Sequence, residues 1–348
     1  MWMFCYRWRW WMGGLAALLL VATASMWSER IEIAAQAMVR APNQGQSAPA
    51  PAKLGENLRA PGVSQALQIT VGTPPTILSV WIVDPPWIAD TNTDPASGTD
   101  SAVPTSTPSS TDAPAVAPRD ARPRPRGTVL YLHGIYARKQ MMLETAISHA
   151  ARGYRGILVD SRGHGESNGE WITYGAQETR DYSELLDELE RRGILDGKLA
   201  VYGCSYGAGV AVQLAGRDPR VAAAIALAPF SSMHDVVHAR AHSLWLDWIF
   251  NKADIDAAIA RAGQLAGFDP AAADGVAAMR SRPVRLLVIH GRLDTTIPCA
   301  EGIAVHAAAD PASKLVIIDR AQHDNWTHAG NSAIWTESTA WLDRWIGK

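Results

Sequence analysis

From Gly127 onward the chain alternates two patterns. Short, unbroken apolar runs appear as TVLYLHG, RGILVDSRG, KLAVYG, AAAIALAPF, VRLLVIHG and KLVIID. Between them lie segments with apolar residues at helical spacing, such as AQETRDYSELLDELERRG, which closes on Gly193. Continuous apolar strands suit a sheet covered on both faces, and helices between them supply the crossovers of a parallel sheet. The pattern predicts a doubly wound α/β fold. An earlier run, TILSVWIVDPP (76–86), reads as one further strand ended by two prolines. Residues 231–282 break the rhythm with extra helical material around HSLWLDWIFNKADIDAAIARAGQL, expected to sit over the C-terminal sheet edge as a partial lid.

The segments before Gly127 read differently. Residues 1–27 combine Arg7 and Arg9 with an apolar run from Trp10 to Met26, the layout of an export signal. Ala22-Thr23-Ala24 fits a cleavage site, while Trp8, Trp10, Trp11 and Trp27 resemble interfacial anchors. A cleaved signal and a retained membrane anchor both stay open, and either places the rest of the chain outside the cytoplasm, secreted or anchored. Residues 28–60, rich in Ala, Pro and Gln, read as a linker, and 61–348 as the folded domain. Within it, residues 90–126 form a Pro/Ser/Thr/Asp insertion too polar to offset its ordering entropy, expected to be disordered.

Composition narrows the function classes. A net charge of −2 without a basic stripe disfavours nucleic-acid binding. Three cysteines make no disulfide framework, and no cysteine-and-histidine cluster has zinc spacing.

Two G-x-S-x-G matches compete for the chemistry: Gly203-Cys204-Ser205-Tyr206-Gly207 and Gly165-Glu166-Ser167-Asn168-Gly169. A nucleophile turn needs a buried strand before it and a helix after it. Ser205 has KLAVYG before it and AGVAVQLAG after it, a helix expected to stop at Gly216. Ser167 lies in SRGHGESNGE, polar and glycine-rich on both sides, so Ser205 is the expected nucleophile. A serine hydroxyl needs a base and an acid that orients the base. In the order Ser, acid, His, Asp294 follows the strand VRLLVIH and His323 follows KLVIID. Asp235 is the rival acid; His306 and His328 are the rival bases. His133 and His290 end strands, precede glycines, and read as structural or backbone-positioning residues. The oxyanion requires two backbone donors. Tyr206 N–H is one and Ile135 N–H, in the loop LHGIYARKQ, the other, with Gly134 as the alternative.

The motifs LYLHGI, VDSRGHGESNG, VYGCSYGAG, HGRLDTTIP and QHDN, in this order over about residues 62–348, resemble the α/β-hydrolase superfamily. The likeness is to bacterial esterases and acyl hydrolases, similar to prolyl-oligopeptidase-type catalytic domains and membrane-associated hydrolases of the ABHD kind. It implies that Ser167 belongs to a structural turn braced by Arg162 and His164. It also implies a serine hydrolase cleaving carboxylic esters or thioesters through an acyl-enzyme, with no metal or organic cofactor. A small-molecule ester or acyl compound is the expected partner; the N-terminal segment offers membrane association. Two other functions stay open: a prolyl-oligopeptidase-like peptidase and a non-catalytic envelope binding protein.

Overall fold

The computed structural model describes residues 26–43, 60–89, 124–323 and 331–347. The export-signal reading falls almost wholly on residues 1–25, and the insertion reading on 90–123, outside the described residues. No described helix is long and apolar enough to cross a membrane.

Eight strands build one sheet: β1 (Gln65–Val71), β2 (Thr76–Val83), β3 (Gly127–Leu132), β4 (Tyr154–Val159), β5 (Leu199–Cys204), β6 (Val221–Leu227), β7 (Arg285–Gly291) and β8 (Lys314–Ile318). Their spatial order is β1-β2-β4-β3-β5-β6-β7-β8. β2 runs antiparallel to β1 and β4, and β3 to β8 are mutually parallel. Every residue of β3 and β4 is buried, because successive side chains point into two separate layers. Leu130, Leu132, Ile157 and Val201 pack against α4 (Glu178–Arg191) and α5 (Tyr206–Arg217). Val129, Tyr131, Leu158 and Tyr202 face α3 (Leu143–Ala150) and the C-terminal helix α10 (Asn331–Trp345). Strand β1 has no counterpart among the sequence-predicted strands. At the sheet edge only Ile69 and Val71 are buried, so QALQITV carries little apolar signal.

Two helices differ from expectation. Residues 26–39 form a helix, α1, where the sequence reads the start of a linker. Ile31, Ala35 and Val39 recur every fourth residue and are buried, but a stripe this short and alanine-weighted is easily overlooked. Tertiary contacts hold α1: Trp27 Nε1 donates to Asp254 (2.6 Å) and Arg261 Nε to Glu32 (2.6 Å). Helix α5 runs through Gly216 to Arg217; a Cβ on Gly216 would strike the backbone of Ala278. That glycine marks close helix packing, where the sequence reads a stop. The 231–282 segment forms α6 (Met233–Ser243), α7 (Lys252–Ala266) and α8 (Gly275–Ser281). Helices α1, α6 and α7 share a small core of their own, with Ala35, Met233, Val237, Ile255 and Ile259. Helix α8 packs back on α5, and its Met279 enters the main sheet core.

Candidate active site

Ser205 stands between the end of β5 and the start of α5, at φ 53° and ψ −119°. A non-glycine residue at positive φ costs on the order of 1–3 kcal/mol and persists only where its surroundings over-determine it. Here the Ser205 amide donates to the Leu227 carbonyl (2.8 Å), and its own carbonyl accepts from Ala208 (2.9 Å) and Gly209 (3.2 Å). The motif's glycines leave no room for a side chain. A Cβ on Gly203 would strike the Gly207 backbone, and one on Gly207 would strike the carbonyls of Leu132 and His133.

The turn lifts the serine toward a histidine. Ser205 Oγ lies 2.9 Å from His323 Nε2, and His323 Nδ1 lies 2.7 Å from Asp294 Oδ2. The last two residues follow β7 and β8, so three parallel strands of the one sheet present the trio at the same edge. The second oxygen of Asp294 accepts the amides of Thr296 (2.9 Å) and Ile297 (2.8 Å). Burial alone pushes this carboxyl up, but His290 at 3.6 Å, the His323 hydrogen bond and charge and the Ile297 amide outweigh it. The carboxyl is held well below the usual range and stays ionised. With its Nδ1–H held by a fixed carboxylate, His323 presents Nε2 as a base toward the serine. Of the rivals, Asp235 is engaged by Ser231 (2.8 Å) and Ser232 (2.7 Å). His306 occupies the last turn of α9 (Cys299–Ala307), and His328 lies outside the described residues.

The two oxyanion candidates line the same cavity as Ser205. Tyr206 is the first residue of α5, where an amide has no intrahelical acceptor. The orientation of the Ile135 amide comes from His133. The Ser161 amide donates to His133 Nε2 (3.1 Å), so the ring proton sits on Nδ1 and is donated to the Gly134 carbonyl (2.8 Å). In a trans peptide the N–H of Ile135 points opposite that carbonyl. Anchoring Gly134 oxygen to His133 therefore turns the Ile135 N–H away from the ring. An ideal Cβ on Gly134 would lie 3.6 Å from Ser205 Cβ, so this loop passes directly over Ser205. The histidine's part in this arrangement is visible in the sequence only as a strand-ending His-Gly pair.

Ser167, the competing motif serine, is fully buried. Its hydroxyl donates to the Asp160 carbonyl (2.6 Å) and accepts from the Ser79 amide (2.9 Å). Its neighbour Glu166 has a separate task. Lys139 Nζ, fully buried, reaches Asp160 (2.6 Å) and Glu166 (2.7 Å), and the Lys139 amide binds Asp160 (2.7 Å). The second motif thus clamps the loop that carries Ile135. Nothing in ARKQ marks Lys139 as buried, since lysine normally reads as a solvent residue. Arg162 binds Asp181 through two nitrogens (2.7 and 2.9 Å), and His164 packs edge-on against His133.

Cys204 is a free thiol, as is Cys299. Burial, reinforced by the Asp294 charge, pushes the Cys204 thiol up to about 12, so it stays protonated and unreactive at neutral pH.

The cavity beside Ser205 has a volume of about 830 Å³. The sheet side contributes Ile135, Tyr174 and Phe230, and the helical cover Met38, Val237 and Phe250. Apart from His323, the only ionisable lining groups among the described residues are Arg240, the tyrosines and the partly buried Cys204; no carboxylate lines it among them. Trp245 and Trp248 point to solvent, 82% and 81% exposed, while Leu246 and Phe250 from the same segment face the cavity.

Comparison with known proteins agrees with this architecture. Residues 95–338 match the X-Pro dipeptidyl-peptidase (S15) family. Dipeptidyl-peptidase 5 of Porphyromonas gingivalis is 29% identical over 196 residues, 53% of this chain. The matched part is only 28% of that relative's length. Among solved structures, an esterase of Pyrococcus furiosus superposes with a TM-score of 0.56 at 16% identity, covering 81% of this chain and 92% of that one. The Pyrococcus horikoshii acylaminoacyl peptidase gives 0.55 at 14% identity, covering 82% of this chain and 42% of its own. With the fold of these hydrolases and a family match across well over half its length, the chain belongs to the X-Pro dipeptidyl-peptidase (S15) family, as a serine hydrolase on the α/β-hydrolase fold.

Proposed function

We propose that this protein cleaves carboxylic ester or thioester bonds of substrates with an apolar acyl group, through a Ser205 acyl-enzyme. In this reading Ser205 Oγ attacks the carbonyl carbon while His323 Nε2 takes its proton. The imidazolium, stabilised by Asp294, then protonates the leaving alkoxide or thiolate. The Ile135 and Tyr206 amides hold the oxyanion. Water, activated by the same histidine, releases the acid and restores the serine.

One observation carries the choice of substrate: the cavity wall is apolar, with Arg240 as its cationic group and no lining carboxylate among the described residues. Capture of a peptide's terminal ammonium calls for an anionic partner in the site, whereas an acyl chain needs only apolar wall. The second reading is peptide-amide hydrolysis, favoured by the family match and the dipeptidyl-peptidase relative. Turnover of a p-nitrophenyl ester series from acetate to laurate, set against Xaa-Pro and other dipeptidyl p-nitroanilides, tests the choice. Ester kcat/KM rising with chain length and exceeding the anilide values supports the proposal; the reverse order would falsify it. The apolar, arginine-flanked segment 1–27 supports an exported protein, with this chemistry performed outside the cytoplasm, at or near a membrane.

A further inference from the structure

Helices α6 and α7 carry a cluster on their outer side that the hydrolytic chemistry does not use. His234 and His238 stand four residues apart, so both rings leave α6 on one face. Their ring centroids are 4.5 Å apart. His234 Nε2 lies 2.9 Å and His238 Nε2 2.7 Å from the same oxygen, Oδ1 of Asp256 on α7. The three donor atoms all fall within 4.8 Å of one another. The groups facing them are Asp235, 3.9 Å from His234 Nδ1, and Lys252, 2.9 Å from Asp256 Oδ2.

We propose that His234, His238 and Asp256 form a binding site for a transition-metal dication of the Zn²⁺ class that staples α6 to α7. Two imidazoles and a carboxylate suit zinc and its first-row neighbours, and disfavour Mg²⁺ and Ca²⁺, which take oxygen ligands. Bonds of about 2.0–2.1 Å to a tetrahedral ion place ligand atoms about 3.3 Å apart. The nitrogen–oxygen contacts of 2.7 and 2.9 Å need to open by only about half an ångström to admit the metal. The ion takes the place of the two ring protons now directed at Asp256, and each imidazole binds it as the neutral ring with its proton on Nδ1. Three protein ligands leave the fourth position to water. Asp235 is placed to orient His234 through its other nitrogen, as outer carboxylates do at metal-bound histidines. The ion then acts on the pocket from behind, because Val237 and Ala241 of α6 and Ile255 and Ala258 of α7 line the cavity beside Ser205.

The test uses the full chain, purified without a histidine tag and stripped with EDTA, titrated with Zn²⁺ by calorimetry. One saturable site is expected, with melting temperature raised by the bound ion. His238→Ala and Asp256→Asn each weaken binding at least about tenfold. His242→Ala, which touches Asp247 instead, leaves it unchanged. Lys252→Ala removes the competing ammonium from Asp256 and strengthens binding by about twofold to fivefold at low salt. Should the alanine variant fold poorly, His238→Gln with Co²⁺ gives a second readout, since visible absorption bands report the nitrogen ligands directly. Absence of a saturable site, or a site surviving His238→Ala or His238→Gln, overturns the proposal, as does competition by equimolar Mg²⁺.

Discussion

The sheet edge and the helical cover meet across one cavity but are built by opposite rules. At the sheet edge the backbone is locked: Gly203 and Gly207 admit no side chain, Ser205 is held at positive φ, and Asp294 accepts two amides. Helices α1, α6 and α7 instead rest on a small alanine-rich core and leave Trp245 and Trp248 in solvent. Chemistry tolerates displacements of a fraction of an ångström, and sheet ends supply that rigidity. The proposed acyl pocket needs only apolar wall of suitable shape, which the helical cover provides. The expectation follows that substitutions at the sheet edge reduce rate, and substitutions in the cover change selectivity.

The largest effect that could break this contrast is at the trio. Ser205→Ala or His323→Ala should lower kcat/KM by at least about 10⁴-fold, and Asp294→Asn by roughly 10⁴-fold with the fold retained. Ser167→Ala should keep kcat and lower the melting temperature, because its buried hydroxyl serves two loop contacts. Steady-state kinetics on a short ester, beside melting curves, separates the two serines; reversal of their roles would sink the site.

His133→Ala frees the Gly134–Ile135 peptide without touching substrate. The expected loss is about 10–100-fold in kcat with KM little changed, less than the roughly 100–1,000-fold for deleting an oxyanion donor outright. Equal loss in a Tyr206-independent reaction, or a change confined to KM, would remove His133 from that task.

In the cover, Phe250→Ala should reduce ester hydrolysis on long acyl chains more than on acetate, by about 10-fold in the ratio. A uniform loss would place Phe250 in the stability of the cover instead. Trp245→Ala, at a side chain in solvent, should move stability by less than about 0.5 kcal/mol.

Acid should also weaken the rigid half. Burial, with a smaller push from His164 and Lys139, lowers His133 to about 4, and burial with Arg152 lowers His149 to about 4. The unfolded chain binds those protons first as pH falls. Their stabilisation is complete above an ordinary histidine's 6.5 and lost as pH falls through 4, on the order of 3 kcal/mol each. Asp181 opposes this: burial, against its Arg162 partner, raises it to about 6, so its contribution is present below 3.8 and lost as pH rises through 6. Three depressed histidines, His164 with them, oppose two raised carboxyls, Asp181 and Glu301, and urea midpoints should fall between pH 6.5 and 4. A flat profile would show that these rings protonate without unfolding cost.

The amino-acid sequence by itself determined the parallel strands, because a strand buried on both faces must be apolar throughout. It also determined the separation of Ser205 from Ser167, because a strand–turn–helix junction is a local pattern. Asp294 and His323 were legible for the same reason, each a few residues beyond an apolar run. Other features were decided only by tertiary structure. The edge strand β1 and helix α1 acquire their order from partners distant in sequence, through Ile69 in the sheet core and through the Trp27–Asp254 contact. The burial of Lys139 depends on Asp160 and Glu166 arriving from another loop. Convergence of His234 and His238 on Asp256 depends on how two helices cross. Short-range patterns record which face of an element is apolar; which polar groups then meet is set by packing between elements, and no single stretch of sequence encodes it.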